Sequence, residues 1–341
     1  MTVRSTYLKT IGILLIVLAS SARLSASLPT ADTLGEEEDF NNNVSEFILH
    51  HVGDDYQWHI MGSLHLYLPV MVVSNGRFDV FSSKHLFHGT SYNGYLLDHG
   101  KLTRADGASF LNFSITKNVF SLFISAILIS LIFISIARSY KKRDDMVPRG
   151  FQSLMEPLIL FVRDDIVRPS IGEKKYARYM PYLLTLFFFI LINNLLGLIP
   201  LFPGGANLTG NIATTMTLAV ITLLVILFSG NQHYWKHIFW PPGVPIPLKL
   251  PIAAIEFIGI FTKPFALMIR LFANITAGHI IILSILSLTF IYQSYAVGVG
   301  TSFFALFMNI LELLVAVLQA YIFTMLSAIF IGQAVEEPEH H

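Results

Sequence analysis

The chain has 341 residues, 54% of them hydrophobic and only 13% charged, with a mean hydropathy of +0.62. Soluble domains carry about 25% charged residues, so this composition excludes an ordinary soluble enzyme. The formal net charge is zero and cysteine is absent. The first removes the electrostatic basis for nucleic-acid binding; the second excludes disulfides, thiol chemistry and cysteine-ligated metals.

Residues 1–26 read as a signal peptide. Arg4 and Lys9 give a basic start, Ile11 to Ala19 an apolar core, and Ser20 to Ser27 a run of small residues. The core falls short of the ~20 residues a span needs. Cleavage after Ala22 or after Ala26 fits equally, and a retained N-terminal anchor is the alternative. Residues 27–115 then form a polar, mixed extension that opens on Glu36-Glu37-Glu38-Asp39 and Asn41-Asn42-Asn43, a solvated segment. Leu64 to Val73 alternates weakly and is followed by Ser74-Asn75-Gly76 and by Arg77 to Phe81. Asn-Gly between apolar runs predicts a β-hairpin, because both turn positions need positive φ. Seven of the 12 histidines lie here: His50, His51, His59, His65, His85, His88 and His99. Their spacing matches no familiar ligand pattern, which favours packing or surface roles over a metal site.

From residue 118 the pattern changes. Val119 to Ala137, Pro181 to Pro200 and Ile212 to Ser229 read as three spans. Phe151 to Val167 mixes apolar residues with Glu156, Arg163, Asp164 and Asp165. That suits a helix on the membrane surface, or equally a soluble connecting helix. Between the first and second spans stand Arg138, Lys141, Lys142, Arg143, Arg149, Arg163, Arg168, Lys174, Lys175 and Arg178, whereas Leu201 to Gly210 carries no charge. The positive-inside rule puts the basic loop in the cytoplasm and the extension outside, in agreement with a signal peptide. The uncharged Ser294 to Gly300 is then an outer loop, and the tail at 336–341 is cytoplasmic.

Two overlong segments complete five spans, within a membrane domain at 116–335. Pro251 to Tyr292 would be ~60 Å long as one helix, twice the ~30 Å hydrocarbon core. It must tilt steeply or kink, and Pro264 is the evident kink. Phe303 to Gly332 is similarly long. Average tilt is only ~20°, so a large partner alongside is expected. At 100° per residue, Glu256, Gly259, Lys263, Arg270, Asn274 and Ala277 share one stripe, and His279 points to the opposite side. Glu312 and Gln319 share a face with Ala316 between them and Asn309 adjacent. Ionisable groups in a membrane are costly, and arginine cannot shed its proton. Arg270, His279 and Glu312 are therefore candidates for ion translocation; an Arg270–Glu312 bridge holding two helices together is the structural alternative. Lys263 and Glu256 lie nearer the cytoplasmic end and are placed to snorkel.

The run Thr262-Lys-Pro-Phe-Ala-Leu-Met-Ile-Arg270-Leu-Phe-Ala-Asn274-Ile-Thr-Ala-Gly278-His279 resembles the signature of the a subunit of F-type ATP synthase. So do Leu318-Gln319-Ala-Tyr-Ile-Phe323 and Asn193-Asn194-Leu-Leu-Gly-Leu-Ile-Pro200. The resemblance covers roughly residues 118–335. It agrees with an all-α polytopic membrane protein with five spans, two of them long and tilted, and one surface helix; the small β-containing N-terminal extension is read from the residues alone. The resemblance implies a non-catalytic subunit without cofactors, in the bacterial inner membrane, working with a c-subunit ring, the b subunits of a peripheral stalk and the rest of the synthase. It makes Arg270 the essential arginine, Gln319 its neighbouring glutamine and Asn274 the asparagine one turn on. His279 and Glu312 fall at two channel positions, which in some members hold Glu and His in the opposite order, an exchange that implies the two side chains are close and share one task. Asn194 and Asn211 match polar positions of an outer half-channel, and Glu256 an acidic position near an inner one. The extension lies outside the family pattern.

Overall fold

A computed structural model describes residues 53–61, 64–74, 76–87, 91–98, 100–141, 150–199, 202 and 204–337. The signal peptide, the acidic and asparagine runs, His50, His51, His88, His99, Asn75 and Lys142 to Arg149 lie outside the described residues. Among the described residues, five helices are long and apolar enough to cross a membrane, in agreement with five spans. The described chain divides into two compact units.

The first unit contains the extension, residues 194–211 and residues 275–314. Its seven strands are β1 (Gln57–Met61), β2 (Leu64–Tyr67), β3 (Pro69–Ser74), β4 (Arg77–Ser82), β5 (Tyr95–Asp98), β6 (Lys101–Arg104) and β7 (Leu111–Asn112). They form two hairpins, β1–β2 and β5–β6, and a three-stranded sheet ordered β4-β3-β7. Ser74 pairs with Arg77, so the β3–β4 hairpin falls where the Asn-Gly pair predicts it, with Gly76 at φ +74°. The weak alternation from Leu64 to Val73 is two strands, not one. Leu68 breaks them: it is buried, and its N–H donates to Tyr56 O at 3.1 Å. Tyr56, Val70, Val72, Phe81, Leu86, Tyr95 and Leu102 form the core of the extension. Of the described histidines, His85 stacks on Tyr92 at 4.8 Å and His65 lies 6.4 Å from Tyr67.

The extension is fastened to the start of α1 (Lys117–Lys141). Lys117 N–H donates to Asp55 O at 2.8 Å, and Asn118 N–H to the Asp54 carboxylate at 3.0 Å. The acid therefore meets the otherwise unpaired donors of a helix N-terminus. Trp58 wedges edge-on between Phe120, 5.8 Å away, and Phe202, 5.3 Å away.

The second unit contains residues 125–193, 212–274 and 315–341. The expected single helix from Phe151 to Val167 is instead α2 (Phe151–Phe161), a π-helical turn at Val162–Val167 and α3 (Arg168–Ile171). Pro169 has no N–H with which to close an α-turn, which accounts for the widened pitch before it. Phe161 meets Phe187 of α4 (Tyr176–Leu198) and Tyr321 of α8 (Tyr295–Val335). A Cβ on Gly332 would collide with Ser170 O, so only glycine allows that approach. α5 (Ile212–Ser229) joins α4 through a hydrogen bond of 2.7 Å between Tyr182 and Thr222. A short helix not read from the sequence, α6 (Gln232–Phe239), is capped by Asn231, whose side chain accepts from Tyr234 N–H.

α7 is one helix from Ile246 to Tyr292, 47 residues or ~70 Å. Its helical pattern runs unbroken through Pro251 and Pro264, so Pro264 is no break. α8 begins at Tyr295, not Phe303, and the outer loop expected at Ser294–Gly300 shrinks to Gln293 and Ser294. Gly298 and Gly300 are poor helix formers by themselves. Packing overrides that: the Thr289 and Thr301 hydroxyls meet at 2.6 Å, and a Cβ on Gly298 would stand 3.2 Å from Thr289 Cγ2.

Candidate ion-translocation site

Within the first unit, His279 of α7 and Glu312 of α8 come together, Nε2 to Oε1, at 3.7 Å. That is ion-pair distance but beyond a direct hydrogen bond. Glu312 is only 5% exposed. Its partner is thus His279, which takes up the carboxylate that the structural alternative assigned to Arg270. Gly278 makes the room, and Gly197 lies beside it. A Cβ on Gly278 would stand 2.8 Å from Glu312 Oε1, and one on Gly197 would stand 3.7 Å from His279 Nε2. Gly197 is one turn beyond Asn194, which is buried in the same unit. Asn211 is half-buried there, and Thr276 Oγ1 donates to Gly210 O at 3.2 Å just before it. The opposite-side placement read for His279 agrees with its burial against α8. The two glycines were missed as site residues, although Gly197 and Gly278 both stand inside the quoted motifs.

In the second unit, Arg270 and Asn274 are exposed, as are Ala266 and Ala273 between and beside them. Among the described residues no carboxylate reaches the Arg270 guanidinium at ion-pair distance. Gln319 is 2% exposed and donates from Nε2 to Arg270 O at 3.0 Å. It therefore holds the main chain of that turn and leaves the charged side chain outward. Ala316, Gln319 and Ala320 are all buried. Lys263 is tied to α8: its ammonium donates to Gln333 at 3.2 Å and stands over the Phe330 ring. Glu256 is half-buried, and its charge reaches Tyr234 of α6, whose hydroxyl pKa is raised by burial first and by that charge in addition.

Five apolar helices, with a fixed cation displayed on one long helix and a His–Glu pair buried between two, define a multi-pass membrane protein built for ion movement. The profile of the ATP synthase A chain family matches residues 119–332, and the chain belongs to that family. It is 46% identical over 234 residues to "ATP synthase subunit a" of Chloroherpeton thalassium, covering 67% of this chain and 68% of that one. It is 48% identical over 235 residues to "ATP synthase subunit a 2" of Chlorobaculum tepidum, covering 67% and 65%. With "ATP synthase subunit a" of Anaeromyxobacter sp. it shares 36% identity over 327 residues, 90% of this chain and 74% of the other. Residues 47–119 match a second family, described as a domain of unknown function (DUF8433). The chain is thus a non-catalytic proton-channel subunit of the Fo sector, and it associates with the rest of the ATP synthase.

Proposed function

We propose that this subunit forms two offset half-channels against a ring of c subunits. Protons enter from outside past Asn194, Asn211, His279 and Glu312 and protonate a ring carboxylate. After nearly a full rotation that carboxylate meets Arg270, whose permanent charge lowers its pKa and expels the proton toward Glu256. Arg270 also repels a proton hopping directly between the half-channels. Asn274 and the small residues beside Arg270 permit close approach of the ring, as small residues do between membrane helices. Each proton crossing ~150 mV releases ~3.5 kcal/mol, so several must be summed per ATP.

The observation that carries this reading is the opposite treatment of two charges. Arg270 is outward with its main chain held by Gln319, and Glu312 is buried against His279. We place the protein in a bacterial inner membrane, with a signal peptide at 1–26, an extracytoplasmic extension at 27–115, a membrane domain at 116–335 and a cytoplasmic tail at 336–341. The basic loop between the first two spans supports this orientation, and the b subunits of the peripheral stalk are the further partners.

The test is ATP-driven proton pumping in inverted vesicles carrying Arg270→Ala, with ATP hydrolysis and passive leak recorded alongside. Pumping is expected to fall to background with the complex still assembled. Retained pumping would reject the ring-facing role of Arg270.

A further inference from the structure

The three-stranded sheet of the extension has one covered face and one bare face. Val70, Val72 and Phe81 turn inward to the core. Two polar residues of the strands turn inward too: Asp79 accepts from Tyr95 OH, and Asn112 Nδ2 donates to Tyr56 OH at 2.7 Å. Apart from the exposed pair Pro69 and Ser82 at one end, the outward positions are Met71, Val73, Phe78, Val80, Leu111 and Phe113, brought side by side by the strand register and by the Phe113 N–H to Met71 O bond. Phe78, Val80, Leu111 and Phe113 are 57–62% exposed. A contiguous apolar patch of this kind marks a protein-docking or membrane-docking surface.

Three observations favour lipid. The sheet cannot leave the membrane, because only Phe113 to Thr116 separate β7 from the first span, and the Asp54, Asp55 and Trp58 contacts fasten the joint. The rows also run toward the span. Phe113, Met71 and Val80 lie nearer to it and Leu111, Val73 and Phe78 farther, since Ile115 N–H continues the pairing to Pro69 O before Lys117 begins the helix. Four extended residues reach at most ~14 Å, which keeps the nearer row within that distance of the first span. Finally, the start of α1 presents exposed apolar residues as well, Leu122 and Phe123. We infer that this face rests in the headgroup and upper acyl layer of the bilayer, making the extension a lipid-seated foot beside the first span. The inference depends on the chain spanning a membrane and not on the proton path.

The natural absence of cysteine provides the test. Single cysteines replace Phe113, Val80, Phe78 or, as a control on a different sheet, Lys101. Each is labelled with a small environment-sensitive fluorophore in the intact complex, in liposomes of phosphatidylcholine and phosphatidylglycerol with or without brominated acyl chains. Brominated lipid is expected to quench the labels at 113 and 80 several-fold more than the label at 101, with 78 between them. Equal, weak quenching at all four positions would overturn the inference. Aqueous iodide then says what replaces it: access at 80 and 113 means open solvent, and shielding from both quenchers means a protein subunit covers the face.

Discussion

The His279–Glu312 region and the Arg270–Gln319 region are built from the same two helices and treat charge in opposite ways. In the first, the glycine at 278 clears space and the carboxylate is enclosed against an imidazole of its own chain. In the second, the side chain that carries the charge is exposed, and what the fold secures is the carbonyl behind it. A group that must exchange protons needs a local partner with which to trade them. A group that must act on something passing by needs a fixed backbone and an open face. Burial alone would rank Glu312 above Arg270; under the proposed path, exposure is what the role of Arg270 requires.

The sharpest way to break this comparison is to alter the enclosed pair. Glu312→Gln and His279→Ala should each cut ATP-driven pumping by on the order of a hundredfold, the scale of a lost proton-transfer group. The double exchange His279→Glu with Glu312→His should recover much of the rate, because one imidazole and one carboxylate remain in reach. If both single variants pumped at the parental rate, the pair would not be on the path.

Gly278→Ala probes the same region more gently. Its Cβ would stand 2.8 Å from Glu312 Oε1 and displace the carboxylate without removing it. A loss of about tenfold in pumping is expected, since displacements near 1 Å can cost up to ~10². A parental rate would mean that the 3.7 Å separation is not critical.

On the other side, Gln319→Leu removes one hydrogen bond to Arg270 O, worth about 0.5–1.5 kcal/mol. It should slow pumping between twofold and tenfold while the assembled complex keeps hydrolysing ATP. A loss as complete as that of Arg270→Ala would mean that Gln319 acts on the passing carboxylate itself.

The smallest effect concerns the end of α8. Lys175 donates to Val335 O at 2.8 Å and pairs with Glu337, whose carboxyl is held below its ordinary 4.5 by that hydrogen bond. A lowered carboxyl pKa gives stability that is present above the ordinary value and lost as pH falls below it. Amide exchange near residues 333–337 should therefore quicken only below about pH 4.5, and modestly, because both groups are exposed to screening. No change on acidification would leave the Val335 carbonyl bond as the whole of the clamp.

Much of this arrangement was legible from residue patterns because membrane physics is blunt. Hydropathy, span length and loop charge do not depend on distant contacts, so five spans and the Asn-Gly hairpin could be read directly. The placement of Arg270 and His279 on opposite sides of one helix followed from 100° per residue. Element ends were less legible. The helix start at Tyr295 depends on Thr289 meeting Thr301, and the π-turn at Val162–Val167 interrupts a pattern that reads as plain α-helix.

The sequence by itself determined the membrane class, the number of spans and the family resemblance, since these rest on composition, period and a contiguous motif. The family resemblance already implied that His279 and Glu312 are close; tertiary structure supplied their 3.7 Å geometry and alone decided that Gln319 holds the Arg270 carbonyl and that Lys263 is tied to Gln333. Those residues stand 33, 49 and 70 positions apart in the chain, and no local periodicity encodes which side chain at that separation becomes a neighbour.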